Sequence, residues 1–257
     1  MPDRVYIGKC PVDCIGFADT VERLHESIVI GKRLLVAPIN AATVVNASQN
    51  VSFRDGLEKM DILLPDGYWL QVAARLLRYP RTDHVATVPL TYRLLQKLGG
   101  QRGRVYLLGS RDFLVREAAN EITRRFPGME IAGLRNGYFS ETDEPDVVLE
   151  INRAKPQLLL VGISSPKREL FMARHRARLE VPVVIGVGGL IDILGGKIAE
   201  GPTWLRNCGL MWLYRFVQEP KRLWKRYTIT NCQFIWLVLK HTLKANAAAG
   251  RKHIPWN

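Results

Sequence analysis

At 257 residues, with 47% hydrophobic and 24% charged side chains, the chain is long enough for one large α/β domain with an appendage. It is too balanced in composition to be fibrous or disordered. A formal net charge of +13 asks for an anionic partner: a nucleotide, a nucleic acid or a membrane surface.

The excess charge is uneven, since residues 203–257 hold ten Lys or Arg against one acid, Glu219. No run approaches the ~20 apolar residues that span a bilayer, so the chain reads as soluble or peripheral. The opening MPDRVYIGK lacks the apolar core of a signal peptide. Four cysteines without a second ligand pair at zinc spacing read as reduced cytoplasmic thiols.

In chain order, residues 4–8 read as a short strand and 10–16 as a turn. A helix over 20–30 stops at Gly31, as a C-terminal glycine would stop it. A strand over 33–38 precedes Asn40, which stands where it could cap a helix over 41–48. A helix over 53–59 leads to a buried strand over 60–64 that ends in Pro65-Asp66-Gly67. Residues 68–77 are helical, 75–84 form a basic loop, and a helix over 89–98 closes at Gly99-Gly100.

The alternation is then regular: strand 104–108, helix 113–126, strand 130–134, a turn at 136–139, and helix 145–155. Two apolar runs follow, 158–163 and 181–187, with a helix opened by Pro166 between them. Such alternation predicts a mostly parallel, doubly wound sheet with helices on both faces. The composition shifts near 196–202, which divides the chain into an α/β domain, 1–196, and a helical basic appendage, 197–257. The appendage sets Trp and Leu against Lys and Arg. It suits an anionic bilayer surface, or equally a helical pair packed on the sheet with a solvated basic face.

Ligands of such sheets lie at the carboxyl ends of the strands. Asp66 follows one end, where a partly desolvated carboxylate could act as a general base; plain Asp-Gly turn chemistry would look the same. Asn40 follows another, as a ligand contact or as a mere cap. Lys167 and Arg168 open a helix after Ser164-Ser165-Pro166, where they could neutralise phosphate or simply face solvent. Gly186, Gly188 and Gly189, with Asp192 beyond, form a turn where a backbone could approach a ligand. The G-x-G-G run is not the dinucleotide fingerprint, and the sequence has no P-loop, no H-E-x-x-H and no D-x-D pair. With no metal-binding motif, a bound diphosphate would have to be held by arginines and backbone amides.

The ordered run Gly186-Val187-Gly188-Gly189-Leu190-Ile191-Asp192, Gly195-Gly196-Lys197, Pro202-Thr203-Trp204, Gly209 to Arg215 and Gln218-Glu219-Pro220-Lys221-Arg222 resembles the WecG/TagA/CpsF glycosyltransferases. Pro166-Lys167-Arg168-Glu169 is similar to that family's P-K-Q-E, and Leu64-Pro65-Asp66-Gly67 to its P-D-G. The resemblance covers nearly the whole chain and is weakest before Arg33 and after Tyr227.

It implies a Rossmann-like fold and an inverting transfer from a UDP-sugar to a sugar on a polyprenyl diphosphate, without an essential metal or cofactor. The setting would be cell-surface polysaccharide synthesis at the inner face of the cytoplasmic membrane. Asp66 would be the catalytic base, Asn40 would shape the sugar pocket, and Gly186 to Gly189 would lie against the nucleotide. Arg215, Arg222 and Lys225 or Arg226 would stabilise the departing diphosphate, while residues 203–257 dock on the membrane. Nucleic acid is not among the implied partners, and a homo-oligomer is compatible with the pattern.

Two departures stand out. The family's R-V-x-G-x-D segment is here Asp83 to Pro89, with His84 at the arginine position and Pro89 at the aspartate, and Arg168 replaces the P-K-Q-E glutamine. Arg168 would then restore the positive charge lost at His84. Rival readings are a non-enzymatic membrane- or nucleic-acid-binding protein and a nicotinamide-dependent oxidoreductase; the missing fingerprint disfavours the latter.

Overall fold

The structure, a computed structural model, describes residues 3–79, 84–202, 205, 211–218, 220, 224 and 226–250. The side chains of 211, 212, 215, 226, 227 and 244–250 lie outside that description.

The chain opens with an antiparallel hairpin, β1 (Asp3–Ile7) and β2 (Cys10–Cys14). Residues 10–14, expected as a turn, are thus a strand. Pro11 is accommodated because the hairpin is only two strands wide, leaving edge positions that need no donor. Helix α1 (Phe17–Ile30) ends on Gly31 in the left-handed region, as its sequence predicts. Strand β3 (Leu34–Ile39), helices α2 (Ala41–Gln49) and α3 (Val51–Glu58), strand β4 (Ile62–Pro65) and helix α4 (Tyr68–Leu76) follow.

Next come α5 (Thr87–Gly99), β5 (Arg104–Gly109), α6 (Asp112–Arg125), β6 (Glu130–Arg135) and α7 (Glu144–Ala154). Strand β7 (Leu158–Gly162), helix α8 (Lys167–Arg174), strand β8 (Val183–Gly186) and the short α9 (Leu190–Leu194) complete the sheet region. Among the described residues of the tail are α10 (Met211–Gln218), a π-helical turn (Arg226–Thr230) and α11 (Asn231–Gly250).

All six strands β3–β8 are parallel, in the order β4-β3-β8-β7-β5-β6. Their near-continuous apolar runs follow from burial on both faces. Side-chain alternation sends Leu35, Ala37 and Ile39 to one face and Leu34 and Val36 to the other. The first face packs against the hairpin, α2, α3, α4, α7, α8 and α11; the second against α1, α5, α6 and α9. Helix α11 joins the first core through the buried Phe234 and Val238.

The chain leaves β7 toward β8 but leaves the neighbouring β5 toward β6. Connections therefore diverge between β7 and β5, which opens a crevice at their carboxyl ends. On the opposite flank, β4 is an edge strand whose Leu63 N–H would lack a ladder partner. The fully buried Asp13 accepts from it at 2.8 Å while Arg4 grips the same carboxylate at 2.7 and 3.1 Å. The hairpin thus covers the edge.

Candidate active site

The carboxyl edge of the sheet carries, side by side, the ends of β4, β3, β8, β7 and β5. Asp66 directly follows β4 and is tied to the neighbouring strand by its N–H donating to Ile39 O at 2.8 Å. Gly67 then adopts φ +146°, a region closed to ordinary side chains, so that α4 can start at once.

The Asp66 side chain is about one-third exposed and stands between two residues of the segment leading into α5. Thr87 Oγ1 donates to its Oδ2 at 2.6 Å, and His84 Nε2 lies 3.9 Å from its Oδ1. Val85 N–H donates to Pro65 O at 3.1 Å, so residues 84–87 run beside the end of β4. That pin places His84 and Thr87 around the carboxylate. Thr87, only 3% exposed, was not among the residues singled out from sequence. Its one sequence signal is its place two residues before Pro89, and in the structure it is the first residue of α5.

Asn40 caps α2 as expected. Its Oδ1 accepts from Ala42 N at 3.0 Å and Thr43 N at 3.2 Å, and Thr43 Oγ1 returns a bond from Asn40 N–H, closing a capping box. The oxygen is spent on the helix. Among the described residues nothing accepts from its Nδ2, which leaves that amide group for a ligand. Asn40 also borders Gly67, since a Cβ built there would come 3.9 Å from Asn40 Cβ. Asp66 and Asn40 are therefore neighbours.

The glycine turn after β8 holds something the sequence did not suggest. Arg168 is 5% exposed, and a Cβ at Gly186 would lie 2.8 Å from its Nε and 2.9 Å from its Cδ. One at Gly188 would lie 3.5 Å from its Nη1. The missing side chains make room for this guanidinium, beside Pro38 of β3. Arg168 is paired with the fully buried Glu169, Nε donating to Oε1 at 3.1 Å and Nη2 to the same oxygen. Among the described residues Glu169 Oε2 has no hydrogen-bond partner. Within the protein, then, the Arg168 charge is balanced by its neighbour Glu169. Gly189 is the N-cap residue of α9, and among the described residues a Cβ built there would meet Ile198 alone, at 3.9 Å.

Asp192, in α9, reaches the crevice between β5 and β7. Ser110 Oγ donates to its Oδ1 at 2.5 Å, and Lys197 Nζ is 3.5 Å from its Oδ2. Ser110 follows Gly109 with φ +59°, and a Cβ on Gly109 would strike the Gly162 backbone at 2.6 Å, so the two strand ends touch. Ser110 is a second residue that sequence reasoning passed over. Lys167 points elsewhere: its Nζ donates to Phe139 O and lies 4.4 Å from the Phe139 ring centroid. It fastens α8 to the loop after β6.

The expected diphosphate cluster falls mostly outside what the structure describes. Arg215 and Arg226 sit in α10 and the π-helical turn without described side chains, and Arg222 and Lys225 lie outside the described residues. Among the described residues no three His, Cys, Asp or Glu side chains gather as a metal site would require. No helix among them is long and apolar enough to cross a membrane. A cleft of about 650 Å³ also opens at the opposite, amino edge of the sheet, between Arg33, Lys59, Asp61 and Arg176. It is remote from Asp66.

Comparison with known proteins agrees with this geometry. A protein of Bacillus spizizenii named N-acetylglucosaminyldiphosphoundecaprenol N-acetyl-beta-D-mannosaminyltransferase is 29% identical over 210 residues, covering 82% of this chain and 80% of the relative. A Bacillus subtilis protein of the same name is 27% identical over the same span and coverage. The sequence model of the WecG/TagA/CpsF glycosyl transferases matches residues 5–248. A match over nearly the whole sheet region and tail, on a parallel sheet whose P-D-G strand end carries a held carboxylate, places the chain in the WecG/TagA/CpsF glycosyl transferase family.

Proposed function

We propose that the chain is an inverting transferase moving a hexose or N-acetylhexosamine from a UDP-sugar to a sugar carried on a polyprenyl diphosphate. The observation that carries the reading is Asp66 at the end of β4, its Oδ2 held by Thr87 at 2.6 Å and Asn40 alongside. Oδ1 takes the proton of the acceptor hydroxyl as that oxygen attacks the anomeric carbon. The bond from that carbon to the UDP oxygen breaks from the opposite face, and UDP leaves with the electron pair. General-base assistance of this kind contributes roughly 10²–10⁴-fold.

Neighbouring parallel strands lie about 4.8 Å apart, so the end of β8 is about 10 Å from that of β4 and the end of β5 about 19 Å. This row gives the donor sugar the space beside Asn40 and Gly186, and the nucleotide the crevice beside Gly189, Ser110 and Asp192. His84 and Arg168 border the sugar end, and Lys167 acts through the Phe139 loop. Arg215, Arg222, Lys225 and Arg226 of the appendage would absorb the leaving diphosphate charge. Residues 203–257 would bring the enzyme to the inner face of the cytoplasmic membrane, where a lipid-linked acceptor resides.

The acceptor class rests on the names of the two Bacillus relatives. The donor is left at the level of its class because His84, Pro89 and Arg168 depart from the family pattern. The test is a panel of UDP-sugars incubated with a short-chain prenyl-diphosphate sugar, with products read by mass spectrometry. One donor should yield a disaccharide lipid of inverted anomeric configuration, and Asp66→Asn should fold normally and abolish turnover. Full activity in that variant, or no product with any UDP-sugar, refutes the reading.

A further inference from the structure

Helix α4 starts two residues after Asp66, and its nine residues are short and two-faced. Leu70, Ala73 and Ala74 face the core, as a buried stripe requires. The opposite side is not polar. Tyr68 is 48% exposed, Leu76 is 52% exposed, and the partly exposed Val72 lies between them at helical i, i+4 spacing. Beside this stripe stand Arg75 and Arg78, both exposed. Among the described residues neither has a carboxylate partner. The family's P-D-G motif explains why a helix starts here; it does not explain an outward line of apolar side chains flanked by two uncompensated cations.

The stripe is also not isolated. Tyr79, just past α4, donates its hydroxyl to Tyr6 O at 2.7 Å, and Gly8 N in the hairpin turn donates to His241 Nδ1 of α11 at 3.0 Å. These bonds tie the end of α4 to β1, and the hairpin turn with its exposed Lys9 to α11. Helix α11 repeats the same composition outward: Trp236 and Leu239 are more than half exposed, and Lys240 Nζ lies 4.7 Å from the Trp236 ring centroid. Glu58, the acid that meets β1 here, is itself engaged by Arg4 at 3.9 Å and by the Tyr6 hydroxyl at 3.5 Å.

We propose that the outer face of α4, Tyr68-Val72-Leu76 with Arg75 and Arg78, is a second membrane-contacting element that rests on an anionic lipid surface. Aromatic and aliphatic side chains at the acyl boundary, with guanidinium groups among the headgroups, are what such a surface binds. The consequence for the proposed transfer is positional, and only this part rests on that reading. Contact at α4 holds the mouth of the Asp66 site against the bilayer from which a lipid-linked acceptor extends.

The experiment uses the full-length chain, sedimented with vesicles of phosphatidylglycerol and phosphatidylcholine in equal parts and with vesicles of phosphatidylcholine alone. Neither donor nor acceptor is present, so failure of the transferase reading leaves the result unaffected. Each arginine near an anionic surface is worth about fivefold in binding, so Arg75→Gln with Arg78→Gln should weaken binding to the mixed vesicles roughly 25-fold. Tyr68→Ser with Leu76→Ser should weaken it roughly tenfold or more. If the serine pair shifts the unfolding midpoint, the arginine pair, two exposed side chains, carries the test. Wild-type binding by both variants overturns the proposal, as does equal binding of the wild type to phosphatidylcholine alone. So does a concentration-dependent dimer lost in the serine pair, which would make the face a contact between copies of the chain.

Discussion

Thr87→Val is the sharpest probe of the candidate site, because it removes one atom's function and little else. Thr87 is buried, valine has nearly its shape, and the backbone carbonyl that receives the Thr91 hydroxyl is untouched. What is lost is the 2.6 Å bond to Asp66 Oδ2. A hydrogen bond to a charged group is worth about 1.5–3 kcal/mol. If it holds the carboxylate in its productive orientation, kcat/KM should fall about 10- to 150-fold. Because Asp66 is about one-third exposed, water can replace the lost donor in the resting protein. Stability should therefore change by less than about 1 kcal/mol, a melting shift of roughly 2–4 °C at most for a chain of this size. Initial rates of UDP release, measured beside a thermal melt, separate the two effects. Thr87→Ser, which keeps the hydroxyl, should stay within a few-fold of wild type. The argument fails if Thr87→Val keeps full activity, or if Thr87→Ser is as impaired as Thr87→Val.

Three further outcomes are expected. Glu169→Gln leaves the buried Arg168 without its counter-charge and should cost about 3–5 kcal/mol in urea unfolding, with Arg168→Gln added in the same chain recovering most of it. Gly186→Ala drives a methyl group to 2.8 Å from Arg168 Nε and should destabilise by about 1–3 kcal/mol; that cost should shrink in an Arg168→Gln background, and an unchanged cost would show that the strain lies elsewhere. Burial pushes the Cys10 thiol well above the ordinary range, so iodoacetamide at neutral pH should modify the exposed Cys232 in the native protein and reach Cys10 only after unfolding, as peptide mass spectrometry will show.

Much of this was legible in the sequence because the signals were local. Asn40 before an apolar helical run was recognisable as a cap, Gly31 as a helix stop, and the runs at 158 and 181 as strands buried on both faces. Hairpin strand β2 was not, since Cys10-Pro11 reads as a turn until Tyr6 is seen opposite Pro11. Thr87 and Ser110 escaped because each meets its carboxylate across a long sequence separation, and no periodicity encodes such a contact. Gly186 was noticed for its bareness, but its close approach to the Arg168 guanidinium was not legible, because the two residues lie 18 apart in the chain and meet only in the fold.

The strand order carries a consequence for how the molecule comes together. Strands β3 and β4 form one ladder and β5, β6 and β7 another, and the two are hydrogen-bonded to each other only through β8. That strand is the last of the six to leave the ribosome, yet it is the keystone. Until residue 186 is available, β3 and β7 each lack the strand that pairs their inner edge, and the two ladders cannot be joined. The residues that close this seam are immediately followed by the glycine turn, so completing the sheet and shaping the middle of its carboxyl edge are one late event.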